Sequence, residues 1–288
     1  MPDPKCFASH MGYWCVAPFW FDAQLAAYRH GLLIDFEAAR GAPASEPMSY
    51  ELLSNVAVIN ANGYIMKGQP KFGGFSTIGL QRVLAQADRD PEVKGKLILM
   101  DSPGGGVSGV NEAGKSIAAS NSVKPIVVHA DDLLASAAYW LASAAHKIFA
   151  SEATQVGSIG VIARVEDTSR AMEAQGVKVE YITSDGADAK MLGADGIPVT
   201  DAARAEILRM ANSYADLFIG AIQRGRGMSG KSAKAVADGR LHMAAQSQEL
   251  GLIDGVQDQN ASMLALQKEI NRRDARQNAE KMAMRRSR

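Results

Sequence analysis

From residue 56 onward the chain alternates short apolar runs with longer stretches of helical spacing. Val56-Ala57-Val58-Ile59, Lys96–Met100, Pro125–Ala130 and Lys147–Ala150 are runs of strand length, and Ile65-Met66 after Gly63 adds a shorter one. Between them the pattern predicts helices over about Thr77–Asp88, closed by Asp90-Pro91, and over Asn111–Ser120. A further helix, from about Ser136 to His146, follows from Ala138, Leu141, Ala142 and Ala145 recurring at helical intervals. Its alanines allow close approach to a neighbouring sheet. Strands alternating with helices of about ten residues imply crossover units and a largely parallel sheet, the pattern of an α/β protein.

The same reading continues past the core. Ser158–Val161 is a short strand candidate, a helix lies near Thr168–Gln175, and Val177–Thr183 alternates like a strand. The loop Ser184–Pro198 carries Lys190. From Thr200 a long helix runs to about Arg224, with Thr200 or Asp201 as its cap. Shorter helices over Met228–Gly239 and Ala244–Leu250 precede Gly251-Leu252-Ile253-Asp254, which closes the domain. Ahead of the core, Phe19–Ala39 can form an amphipathic helix with Phe21, Leu25, Tyr28, Leu32 and Phe36 on one side. Gly41–Ser49 has linker composition. The expected organisation is therefore an extension over 1–50, a domain over 51–258 and a tail over 259–288. From Lys268 the tail holds eight Lys/Arg against three acids. It reads as a solvated charged helix sooner than as a binding arm.

Charge changes the picture only by exclusion. The formal net charge is zero, so no global field argues for nucleic acid as a partner. Two cysteines, Cys6 and Cys15, make no disulfide framework and fit a reducing compartment. No apolar run approaches the roughly 20 residues a bilayer requires. The first twenty residues lack the apolar region of a signal peptide. The expectation is a soluble protein inside a cell, with no membrane anchor.

Three separated elements carry candidate chemistry. Asp101–Val107, DSPGGGV, follows a strand, and its glycines let backbone N–H groups face a bound group without obstruction. A phosphate loop is the competing use, but neither GxGxxG nor the Gly-Lys-Ser/Thr offset is satisfied. Ser136 stands where a helix begins, near N–H groups that lack intrahelical partners. Such groups can stabilise an oxyanion, although a plain helix cap is the commoner role for a serine there. The third element is a base. His129 precedes the loop, His146 lies over two turns along the serine's helix, and His10, His30 and His242 fall in segments with no other sign of chemistry. Lys190 remains, beside Met191 and Leu192. A lysine accepts a proton only when neutral, which requires burial to pull its ordinary pKa of about 10.4 down by several units. A loop lysine is more often a solvated charge.

Together, DSPGGGVSG, ASAAYWLASAAHKIFASEATQVGSIGVI, Lys190 and the late GLID resemble the signal peptide peptidase A family of serine peptidases. The phage capsid assembly (head maturation) proteases are the branch that the chain resembles most. The match runs from about Asn55 to Val256. The resemblance implies a Clp protease/crotonase-like fold of stacked βαβ units, here with helical extensions at both ends. It implies Ser136 as nucleophile, Lys190 as base, and oxyanion N–H groups from Gly104, Gly105 and Ala137, with Gln155–Val161 as the accompanying motif. It further implies a serine endopeptidase that needs no cofactor or metal. Its substrate would be scaffold or capsid protein, its state a ring-like homo-oligomer, and its place the host cytoplasm or an immature phage head. Three features depart from the family pattern. Two alanines follow Ser136 where a glycine is usual, SDGADAK has extra residues and no histidine before Lys190, and Gly196-Ile197-Pro198 is displaced. A signal-peptide-peptidase-like cytoplasmic protease, a crotonase acting on acyl thioesters and a non-catalytic capsid component that kept the fold are the alternatives.

Overall fold

The structure, a computed structural model, describes residues 13–16, 48–68, 70 and 73–286. The helix predicted over Phe19–Ala39 and most of the linker after it lie outside the described residues. Two compact units divide the chain: a smaller one of Val161–Leu217 with the residues up to Trp14, and a larger one of Cys15–Gly160 with Phe218–Arg288.

The strands, in order, are β1 (Tyr13–Val16), β2 (Tyr50–Leu53), β3 (Val56–Asn60), β4 (Ile65–Met66) and β5 (Phe75–Ser76). Next come β6 (Gly95–Leu99), β7 (Gly104–Gly106), β8 (Ile126–Ala130), β9 (Leu133–Ala135) and β10 (Lys147–Ala150). The last are β11 (Gln155–Gly157), β12 (Ile162–Ala163), β13 (Leu241–Met243) and β14 (Gly255–Val256). The helices are α1 (Thr77–Arg89), α2 (Val110–Val123), α3 (Ala137–Ala142) and α4 (Ser169–Ala174). They continue with α5 (Asp201–Arg226), α6 (Gly230–Ala235), α7 (Ala244–Glu249) and α8 (Gln259–Arg286).

The larger unit is centred on a six-stranded sheet in the order β14-β10-β8-β6-β3-β2, parallel throughout except for the β2–β3 hairpin. This is the α/β class with βαβ crossovers that the alternating pattern predicts. Because both faces are covered, the central strands are buried along almost their whole length. Successive residues serve opposite layers. Val56 and Val58 join Leu97, Val127, Leu266 and Ile270 on one face, while Ala57 packs with Ala87, Val93 and Tyr50. Among the described residues, Lys96 is the one basic side chain among the largest fully buried ones. It is ion-paired with Asp88 and donates to the Ser120 carbonyl (2.9 Å) and Oγ (2.7 Å). Burial pulls its pKa below the ordinary lysine value, and the Asp88 carboxylate opposes that shift.

Three boundaries differ from the sequence reading. Residues 259–286 form one long helix, and its first half contributes core residues, Leu266 and Ile270, rather than a tail. Each of those side chains is worth about 1.5–3 kcal/mol by burial. Only the later turns are solvated, as the charge pattern implies. The predicted helix at Ser136 stops at Ala142, where Ala144 and Ala145 turn to i−3 hydrogen bonds. Val177–Thr183, predicted as a strand, forms none. Val177, Tyr181 and Ile182 stand in solvent, Ile182 at 95% exposure. An alternating pattern makes a strand only where an edge is there to pair with.

The smaller unit is held differently. Ala203 and Ala211 are its buried apolar residues among those described. Polar ties do much of the work: Thr168 Oγ1 donates to Asp195 (2.6 Å) and accepts from the Gly196 amide (3.1 Å), and Tyr181 donates to the Asp195 carbonyl (2.9 Å). Tyr13 and Trp14 pair antiparallel with Ala163 and Ile162, and the Tyr13 ring lies 5.2 Å from that of Tyr214.

Candidate active site

Ser136 joins β9 to α3 and is 1% exposed. Its backbone, at φ 55° and ψ −118°, lies in a region that a residue with a Cβ rarely adopts. That costs on the order of 1–3 kcal/mol. Its hydroxyl makes no capping bond to the helix, so the plain-cap role does not apply. The turn is clamped on both sides. Its N–H donates to the Gly157 carbonyl (2.7 Å) and its carbonyl accepts from Trp140 (2.9 Å). Gly157, at φ 131°, comes so close to the next chain segment that a Cβ there would fall 2.5 Å from the Arg240 carbonyl. The first glycine of the GSIGV motif thus serves the structure by propping the serine turn. The strand predicted over Ser158–Val161 is displaced to Gln155–Gly157, where it pairs with β9 and β13.

The glycine turn is built into the same wall. Ser102 Oγ donates to the Gly63 carbonyl (2.6 Å) and accepts from the Gly104 amide (3.1 Å). The Ser102 amide donates to Leu133 (2.7 Å), and the Ser102 carbonyl accepts from Ala135 (3.0 Å). Asp101 takes the Leu133 amide at 3.1 Å, while burial and the neighbouring Asp132 and Asp131 hold its carboxyl above the ordinary range. A Cβ at Gly104 would lie 3.0 Å from both the Ala135 carbonyl and the Ala137 amide nitrogen, and one at Gly105 would strike the Ile65 backbone at 2.0 Å. Bare backbone is what fits here. Ser136, Gly104, Gly105 and Ala137 are therefore brought together in the larger unit. The helix behind them is anchored by Tyr139, which donates to Leu252 (2.9 Å), and by Trp140 stacked on Phe218 at 4.7 Å. The late GLID motif contributes Asp254, which accepts from Lys147 (2.8 Å), Arg226 (2.8 Å) and the Ile148 amide (2.8 Å). Burial pushes the Asp254 carboxyl up, but those donors outweigh it and leave the pKa below the usual range.

Lys190 belongs to the smaller unit. It stands exposed on the 3-10 turn Asp188–Met191, its amide bonded to Ala187 (2.9 Å). The described histidines are engaged elsewhere or remote in register. His129 Nδ1 meets Ser262 Oγ at 3.0 Å, His146 faces Glu269 at 3.5 Å, and His242 sits on β13 opposite Val156. Sequence reasoning missed Cys15. It is wholly buried in the larger unit and hydrogen-bonded to Ser136. Burial pushes its thiol up to about 12, against the pull of that hydrogen bond. Nothing in YWCV beyond a short apolar run points to this placement.

A buried serine on a strained strand-to-helix turn beside a glycine turn is a framework in which α/β hydrolases present a nucleophile. Comparison with known proteins gives the class a name. The model of peptidase family S49 matches residues 118–272, more than half of the chain, and the chain belongs to that family. Capsid assembly protease C of Escherichia phage lambda is 35% identical over 140 residues, 47% of this chain and 32% of that protein. Protease 4 of Salmonella typhi is 29% identical over 208 residues, 70% of this chain and 32% of the relative. The chloroplastic serine protease SPPA of Arabidopsis thaliana is 30% identical over 206 residues, 70% of this chain and 30% of the relative. The chain spans between 32% and 56% of the length of the first curated relatives it matches. Among solved structures, an enoyl-CoA hydratase/isomerase family member is similar at a TM-score of 0.47 and 15% identity, over 78% of this chain and 75% of that one. Among the described residues, no helix is long and apolar enough to cross a membrane.

Proposed function

We propose that this chain is a serine endopeptidase working through a Ser136–Lys190 dyad, in the manner of a phage head maturation protease. Ser136 Oγ attacks the scissile carbonyl, and neutral Lys190 accepts its proton and then protonates the leaving amine. Water resolves the acyl-enzyme by the same route. Backbone N–H groups of Gly105 and Ala137 receive the oxyanion, while the Gly104 N–H is engaged by Ser102 Oγ. The chemistry calls for no cofactor or metal. The observation that carries the reading is the strained, buried Ser136 turn facing Gly104, within a peptidase family.

The substrate class is scaffold or capsid protein, supported by the name of the phage lambda relative. The setting is the host cytoplasm or an immature head, and the working state is a ring-like homo-oligomer. In such a ring neighbouring subunits can supply base and nucleophile, which fits a lysine turn that has no buried residue of its own. The exposure of Lys190 also favours a second reading, a non-catalytic capsid component that kept the fold. Intact-mass analysis after incubation with co-expressed head proteins separates the two. The dyad requires new fragments with the wild type and none with Ser136→Ala. Unchanged masses with both proteins would favour the second reading, and fragments with both would remove Ser136 from the mechanism.

A further inference from the structure

Ser136 is not open in this structure. β1 lies next to β7 in its sheet, and in the larger unit the Cys15 end of β1 is placed against the glycine turn. A Cβ at Gly104 would fall 2.1 Å from the Cys15 carbonyl oxygen and 3.0 Å from the Ala137 amide nitrogen. The carbonyl of Cys15 and the amide that opens α3 thus adjoin one side of the same glycine. The Cys15 side chain meets the serine itself through a hydrogen bond. Cys15 is 0% and Ser136 is 1% exposed. Two contacts place a peptide strand of the chain over groups that a substrate carbonyl would have to reach: the serine through its side chain and the glycine backbone through its carbonyl.

We propose that the Cys15 end of β1 is an intramolecular cover, a strand that occupies the site of an incoming substrate and must leave before Ser136 can act. The cover rests on the reading of Ser136 as nucleophile. Its form follows from the chemistry of the edge. An extended segment added to β7 satisfies backbone groups that a substrate would otherwise pair with. A small, uncharged side chain such as cysteine fits a position with no solvent access. Because the inhibitor and the enzyme are one chain, its effective concentration is high, and even weak strand pairing keeps the site closed.

The test uses the full chain. In a Cys6→Ser background Cys15 is the single thiol, and its reaction with N-ethylmaleimide should be at least about a hundredfold slower in the native protein than in urea. Cys15→Arg places a long charged side chain in the sealed position and should unseat the strand. Its kcat/KM on fluorescent unfolded casein should rise at least about tenfold over the wild type. The free peptide Gly-Tyr-Trp-Cys-Val-Ala-Pro, residues 12–18, should then inhibit Cys15→Arg more strongly than it inhibits the wild type. Rapid alkylation of Cys15 in the native chain would overturn the cover whatever the activity, including where Cys15→Arg fails to melt cooperatively. A folded Cys15→Arg that cleaves no faster than an active wild type would overturn the cover and leave the nucleophile reading intact. No cleavage by either protein would overturn the nucleophile reading, and the cover with it as an inhibitory device.

Discussion

Ser136 and its neighbours from Ala135 to Ala142 are all buried, whereas the turn that carries Lys190 has no buried residue. The serine's surroundings are complete within its own unit: a clamped turn, a glycine wall and a helix pinned through Tyr139 and Trp140. The lysine's unit rests on polar ties between loops and on two buried alanines. A nucleophile can be prepared by local packing alone, since strain and backbone position it. A lysine base needs its charge desolvated, and its own turn does not supply that. The contrast separates what a single chain prepares from what the proposed ring would have to add.

The largest expected effects test the two ends of this contrast. Ser136→Ala should lower kcat/KM by at least about a thousandfold with little change in melting temperature. Lys190→Ala and Lys190→Arg should be equally inactive, because arginine keeps its charge and cannot give up a proton. Neither should move the melting temperature, since the side chain is exposed. An active Lys190→Arg would leave the serine without its base.

Structural effects should fall almost wholly in the larger unit. Gly157→Ala forces a Cβ to within 2.5 Å of the Arg240 carbonyl at φ 131°. It should cost about 2–3 kcal/mol in urea denaturation and reduce activity through the serine turn. Ile270→Ala should cost about 2–4 kcal/mol, because the residue is 2% exposed in the main core. Asp254 adds a pH dependence. Its folded pKa lies below the usual range, so its contribution is present above the unfolded carboxylate value, about 3.9. It is lost as pH falls through the depressed value. Acid melts of Asp254→Asn should be correspondingly flatter over that window. In the smaller unit Ile182→Ser should change stability by less than about 0.5 kcal/mol, as the side chain is 95% exposed.

Much of the larger unit was legible because its helices and strands obey their own periods. The runs at Val56, Lys96, Pro125 and Lys147 are strands since each finds parallel neighbours and cover on both faces. Motif order also brought Gly104, Gly105, Ser136 and Ala137 into one place. Illegible features depended on partners far along the chain. Val177–Thr183 has the alternation of a strand but no edge to join. Ile270 reads as one apolar residue in a charged tail until Val56, Leu97 and Val127 are seen beneath it. Cys15 is the extreme case, since a lone cysteine in a short run carries no sign that it will rest on a serine 121 positions later.

The dyad is tested most directly by a double-mutant cycle on unfolded casein, with wild type, Ser136→Ala, Lys190→Arg and the double variant at matched concentration. Residues that act as one unit lose their function together. The expected result is that both single variants and the double variant share one residual rate. Losses that multiply in the double variant, or a Lys190→Arg enzyme that keeps most of its kcat/KM, would contradict the Ser136–Lys190 mechanism.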